Sequence, residues 1–548
     1  MLKFNRFLAA GIMVLLVFAF ACSTQSKSDT TGGGDYEDLV TLFKEFRQFD
    51  RPSRTRGVPD YTPEKMKEKY RGLKAFQGRL NAIDPSAWQV SEQVDYHLVR
   101  AEMNGMEFNH RVLHPWARDP NFYLERIPWP REDDLWFPMD EIDLPQLENR
   151  LSVVPKFLNQ AKENMNDLSA VSGDLAAFAI RNMEQGKPFQ RLSERILKHH
   201  PEMDYVTEEI QAALDDYLSW MKENQARMTA PVGVGKDNYN WLLKNVYLFP
   251  FTWEDCLRIV ELEDNRVITF RELEENRNRN LPPLNPVTSQ QEYWDSYMGA
   301  IEHVMNFLKE EEIFTVHDYL VPDGYHKEWG RGMGKYSLDS PWPEHHDYFY
   351  NFSHREPLME ETHEMVGHYF DLLTLRRDDR PIRGDREHEG PYYVSCARLE
   401  GFAFALEELM MHAGYLDERP RRGREIVYDQ AAFRTVRAMS DLKMHNQEWS
   451  LEDAMKYCVA NAPRGHLLDG SPHLWNEMHS TLTMVGWHMQ MVVGKVHFMK
   501  LFRDRAQQLG DDFVLKEFMD EYFAAGVIPS SLIRWEMTGY EDEIKKLW

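Results

Sequence analysis

The chain has 548 residues, 43% of them hydrophobic, and a formal net charge of −25 at pH 7. So acidic a body does not bind nucleic acid through its overall field, and its length is ample for a large buried core. Its cysteines, Cys22, Cys256, Cys396 and Cys458, offer neither a disulfide framework nor a paired Cys-x-x-Cys zinc site, so any metal must be held by histidines and carboxylates.

At the N-terminus, Lys3 and Arg6 precede an apolar run from Phe7 to Ala21, which reads as a secretory signal over residues 1–21. At about 15 residues the run is short of the ~20 a membrane-spanning helix needs. Ala19 and Ala21 ahead of Cys22 fit a bacterial lipobox, in which Cys22 becomes the lipid-bearing first residue; ordinary cleavage that leaves a free cysteine is the alternative. Residues 22–35 then form a flexible polar tether. The expected location is the bacterial cell envelope, with the protein held by the lipid on Cys22, on the periplasmic side of the outer membrane.

The rest reads as mainly α. Segments 205–228, 291–311, 428–444 and 451–460 repeat apolar residues at spacings of three and four. Alternating β pattern is scarce, and the best strand candidate is 347–352. Proline- and charge-rich connections at 114–145, 281–287, 320–345 and 376–391 read as walls or lids. A boundary near 230 separates an N-terminal helical lobe, 36–230, from a metal-binding catalytic lobe, 231–548.

The chemistry concentrates in His363-Glu364-Met365-Val366-Gly367-His368. In the usual zinc-peptidase helix the two histidines stand at i and i+4 and share a face. Here they stand at i and i+5, which on a regular helix turns the second about 140° away from the first. A π-bulge absorbs one extra residue, so the spacing predicts a helix widened at Val366-Gly367. A zinc site of this kind takes three protein ligands and leaves one position open. Glu400 is the candidate third ligand: it opens a small, apolar helical run, where a lone buried carboxylate is costly. A helix-capping role, or a pair with Arg398, is the alternative. Glu407, about two turns on, shares its face and is placed to support a ligand. Glu364 is the candidate general base, taking a proton from the attacking water and delivering it to the leaving amine.

Other groups have two readings each. His445, with Asp441 one turn before it, is either an oxyanion stabiliser or proton donor, or a structural hydrogen bond. Tyr392 and Tyr393 either contact a substrate carbonyl or pack in the core. His345, His346 and His354 precede the motif; His388, His473, His479, His488 and His497 lie in loops or on amphipathic helices. The aromatic stretch 114–142 is either a substrate wall or packing.

Four stretches occur in the order and approximate spacing of a bacterial family called domain of unknown function 885. They are Glu360 to Phe370, Arg398 to Leu409, Arg434 to Tyr457 with Asp441 and His445, and Val485-Gly486 through Pro529. The resemblance covers roughly 230–535. It implies a helical, zincin-like metallohydrolase body of gluzincin type, distantly similar to carboxypeptidase Taq, with a small β element beside the active-site helix. It also implies one Zn2+ per chain held by His363, His368 and Glu400, with Glu364 and His445 catalytic. The sequence departs from the family pattern in several places. The proline before Gly367 is missing, which gives the H-E-x-x-G-H spelling of dipeptidyl peptidase III; Tyr369 replaces a second histidine, Phe402 a tryptophan, and Val485-Gly486-Trp487 a P-G-Q segment. The expected function is hydrolysis of a peptide or small amide; a metal hydrolase for a non-peptide amide or ester, or an inactive lipid-anchored scaffold that keeps the fold, is the alternative.

Overall fold

The computed structural model describes residues 34–325, 352–385 and 391–548, apart from 56, 131–134, 136, 140 and 141. The leader, Cys22, most of the tether, His345, His346 and His388 lie outside these residues.

Helix starts follow local chemistry. Asp35 and Asp38 exchange side-chain to backbone hydrogen bonds of 3.1 Å at the head of α1 (Tyr36–Asp50). Together with α2 (Pro63–Asn81) and α3 (Val90–Phe108), α1 encloses a first core of Leu39, Phe43, Phe46, Leu73 and Val99. A second core, of Phe157, Leu158, Ala161, Tyr217 and Met221, lies among α4 (Pro120–Glu125), α5 (Val154–Asn164), α6 (Gly173–Arg181) and α7 (Asp204–Asn224). The segment expected to be one lobe is thus organised around two cores, and the second ends at Met228. Short helices at Pro115–Arg118 and in α4 also break up the long connection expected at 114–145.

The third core begins in earnest at Val232. It is built from α8 (Lys236–Asn245), α9 (Trp253–Asn278), α10 (Gln290–Glu310), the motif segment, α11 (Cys396–His412), α12 (Gly423–His445), α13 (Leu451–Asn461) and α14 (Pro472–Thr483). α15 (Trp487–Leu509), α16 (Leu515–Ala525) and α17 (Ser530–Thr538) complete it. Thr252 and Ser450 cap α9 and α13 with the same reciprocal bonds seen at Asp35. Almost every residue of α11 and α12 is buried, so neither helix has a solvent face, and their charges must find partners inside the protein.

α11 and α15 cross at Gly401 and Gly494. A Cβ on Gly401 would meet the Gly494 carbonyl carbon at 2.4 Å, and one on Gly494 would meet the Ala397 oxygen at 2.4 Å. Only glycine allows backbones so close.

Among the described residues the only sheet is the two-residue ladder of Arg54–Thr55 with Val58–Pro59, turned at Gly57. It belongs to the N-terminal part and does not flank the motif helix. Of the strand candidate 347–352 only Phe352 is described, and it is helical. The mainly α reading holds, and the β element beside the motif finds no support here.

Candidate metal centre

Thr362–Tyr369 is a π-helix, continuous with short α-helical turns on either side. The wider turn takes up most of the 140° by which the i, i+5 spacing overshoots on a regular helix. His363 and His368 face each other with their rings 85° apart and their Nε2 atoms at 3.1 Å. Gly367 allows this in a way its backbone freedom does not explain: a Cβ there would meet the Ala403 Cβ at 2.5 Å. The missing side chain lets the wide helix lie against α11 one turn from Glu400.

Glu400 completes the group. Its Oε2 is 3.7 Å from His363 Nε2 and its Oε1 3.9 Å from His368 Nε2. Ligand bonds of 2.0–2.2 Å in a tetrahedral site imply donor separations of about 3.3–3.6 Å; the two histidine nitrogens stand slightly closer than that, and each Glu400 oxygen stands slightly farther from its nearer histidine. All three residues are buried, and they are the one such metal-capable group among the described residues. Glu400 does not pair with Arg398. That guanidinium, fully buried, donates to both oxygens of Asp371 at 2.7 and 2.9 Å, tying α11 to the helix that follows the motif.

Glu407 supports the site. Its Oε1 lies 2.7 Å from His363 Nδ1, so that nitrogen carries a proton, and once Nε2 gives up its own its lone pair faces the cluster. Arg434 on α12 grips both oxygens of Glu407, at 2.6 and 3.1 Å. Its 3.2 Å approach to Nδ1 is a packing contact, because a protonated Nδ1 accepts nothing. The sequence reading missed Arg434; the available signal was an arginine inside a helix with no polar face.

The electrostatics favour a cation at the centre. Burial alone would push Glu400 up, yet His368 and His363 hold it at about 2. Burial and Arg434 pull His363 down, but Glu400 and Glu407 outweigh them and lift it to about 9. Glu364, beside His363, is half-buried. Its charge reaches Tyr325, whose hydroxyl is raised first by burial and then by Glu361 and Glu364.

His445 is not brought to the cluster. Its ring is fully buried, its Nε2 meets the Thr481 carbonyl at 2.7 Å, and burial pushes it down to about 4. Asp441 is 4.0 Å away and otherwise engaged: it accepts from the backbone of Gly486, His488 and Met489 at 3.1 to 3.2 Å and caps α15. The Asp441 and His445 pattern is therefore a clamp on helix ends, and these contacts give His445 no catalytic position. Tyr369 and Phe402, where the resemblance led to different residues, are both core side chains.

The remaining candidates scatter. His497 binds Glu543 at 2.9 Å, and His354 packs beside Tyr293. His473 and His488 lie 3.8 and 3.6 Å from Glu477. Tyr392 donates to Asp50 at 2.5 Å. Tyr393, with φ of 55°, borders a cavity of about 580 Å3 and meets Trp487 edge-on. That cavity lies between α3, the 114–126 segment and the end of α14, and it includes His479. Part of the expected aromatic wall therefore does face a cavity, while Trp129 stacks on Phe189 in the second core.

Fold and site define a mainly helical protein in which two histidines of a widened helix meet a glutamate of α11. The profile of a bacterial protein family of unknown function, DUF885, matches residues 349–537, which span the motif, α11, α12 and α15. The match begins well after residue 230. No curated protein matches the chain. Two solved structures share the fold. A candidate lipoprotein of unknown function from Shewanella oneidensis is 15% identical, with a TM-score of 0.70 over 92% of this chain and 100% of its own. A candidate lipoprotein from Colwellia psychrerythraea is also 15% identical, with a TM-score of 0.68 over 92% of this chain and 99% of its own. Among the described residues no helix is long and apolar enough to cross a membrane.

Proposed function

We propose that this chain is a zinc-dependent hydrolase of the bacterial cell envelope, acting on a peptide or small amide. The observation that carries the reading is the convergence of His363 and His368, on a helix widened between them, with Glu400 of α11. Zinc held there would supply a Lewis acid that polarises a carbonyl and lowers the pKa of water to about 7.

The chain's own residues do the rest. Glu407, fixed by Arg434, keeps His363 in the tautomer that offers Nε2. Glu364 takes the proton from the attacking water and gives it to the departing amine. Burial of the cluster keeps bulk water from weakening these interactions. A lipid on Cys22 would hold the body at the periplasmic face of the outer membrane; the candidate lipoproteins that share the fold support an anchored protein.

The test has two arms. Purified protein is expected to hold about one zinc per chain and to lose it in His363→Ala and Glu400→Ala. Full occupancy in both variants removes the metal assignment. A peptide library should be cut by the wild type and spared by Glu364→Gln. If a zinc-loaded wild type cuts nothing, the protein is a scaffold that retains the fold.

A further inference from the structure

The 580 Å3 cavity has the size of a small-ligand pocket, ~300–1,000 Å3, and nothing in the metal centre accounts for it. One side is apolar, with Phe108, Leu175, Leu242, Val246, Tyr247 and Val485. The other carries charge, and its groups are not equally committed. Arg118 donates to the carbonyls of Pro231 and Val232. Arg126 lies over the Phe122 ring at 4.1 Å and pairs with Glu125 at 3.4 Å. His479, pushed down to about 4 by burial, is neutral at pH 7 and stacks on Phe178 at 3.8 Å.

Asp119 is the exception. It is 7% exposed and lines the cavity, yet among the described residues it has no ion-pair partner. Its side chain accepts from the backbone of Asn121, at 2.8 Å, and of Phe122, as the N-cap of α4. Burial pushes its acid up to about 7. The charges of Arg126 and Arg118 reach Asp119 from a distance and offset part of the cost of burying it; a cation in direct contact would offset the rest. A second feature has the same sign. Leu482 and Thr483 line the cavity at the C-terminal end of α14, the end of a helix that carries partial negative charge. An anionic ligand would face both, while Arg126 is paired with Glu125 and Arg118 is hydrogen-bonded to two backbone carbonyls.

We propose that this cavity binds a primary ammonium group carried on an apolar or aromatic body, with Asp119 and the C-terminal end of α14 as its polar partners. The free amino end of a short peptide has that chemistry. Its use as a substrate end rests on the hydrolase reading; the binding does not. Geometry connects the two sites, since Val485 in the cavity wall runs into the first turn of α15, where His488 feels the charge of Glu400.

The test is calorimetric titration of Glu364→Gln protein with L-phenylalaninamide and with its N-acetyl derivative, so that binding is read without turnover. The amine is expected to bind about tenfold or more tighter than the acetylated probe, the loss that accompanies removal of a charge-assisted hydrogen bond. Asp119→Asn, which still caps α4, should keep its thermal midpoint and lose the same factor for the amine alone. Equal binding of both probes, binding of neither, or an unaltered Asp119→Asn overturns the proposal. In His363→Ala protein the amine should bind as before, so failure of the metal reading and failure of this one remain separate results.

Discussion

The second core and the core around the His-His-Glu cluster bury side chains on opposite principles. Between Phe122 and Met228 the interior is aliphatic and aromatic, and ion pairs such as Lys222 with Glu184 sit near half exposure on both partners. Around the metal centre, charges are buried in the interior: Arg398 with Asp371, Arg434 with Glu407, and Lys495 between Glu263 and Glu408. Apolar burial stabilises without fixing orientation finely, whereas a buried ion pair adds little net stability but punishes any misplacement. The first region supplies stability, and the second holds geometry.

Several substitutions test that contrast. The largest effect is expected from Arg398→Met, which strands Asp371 in the core: about 4 kcal/mol of stability lost in denaturant unfolding, with zinc binding impaired as well. A loss below 1 kcal/mol would mean that water reaches this pair and that the distinction between the cores is overdrawn. Leu158→Ala in the second core should cost about 3 kcal/mol through the cavity it leaves, with zinc content unchanged. Altered metal content there would show that the two regions are mechanically coupled. Glu407→Gln is expected to lower zinc affinity about ten- to a hundredfold, read by chelator competition, because the ligand tautomer loses its support. Unchanged affinity would reduce Glu407 to a partner for Arg434. Lys222→Ala should shift stability by less than about 0.5 kcal/mol. A larger change would place a working ion pair on the apolar side of the comparison.

How much of this was legible in the sequence depends on the distance over which each signal acts. The widened helix was readable because it is local: the i, i+5 spacing requires it if both histidines are to share one face. Glu400 and Glu407 stood out as acids in an apolar helical run. The mainly α character followed from periodicity, and helix α13 starts where the apolar repeat begins. Long-range partners left no such trace. Arg434 meets the site across 71 residues, and Arg398 finds Asp371 across 27. Asp441 and His445 misled because their one-turn spacing is shared by a catalytic pair and by two side chains that each secure a different backbone. Gly367 marks in the sequence only where the helix widens, and its role comes from Ala403 on a neighbouring helix, which only the fold reveals.

The contact between Gly367 and Ala403 also bears on which ion the site would accept. With a hydrogen atom facing a methyl group, the wide helix and α11 have no compressible side chain between them. The contact therefore sets the closest approach of the histidine pair to Glu400. Calcium, which takes six to eight oxygens, would meet two imidazoles and a single carboxylate here, a donor set suited instead to a tetrahedral ion. Two residues that offer no donor atom thus set how near the candidate ligands can stand.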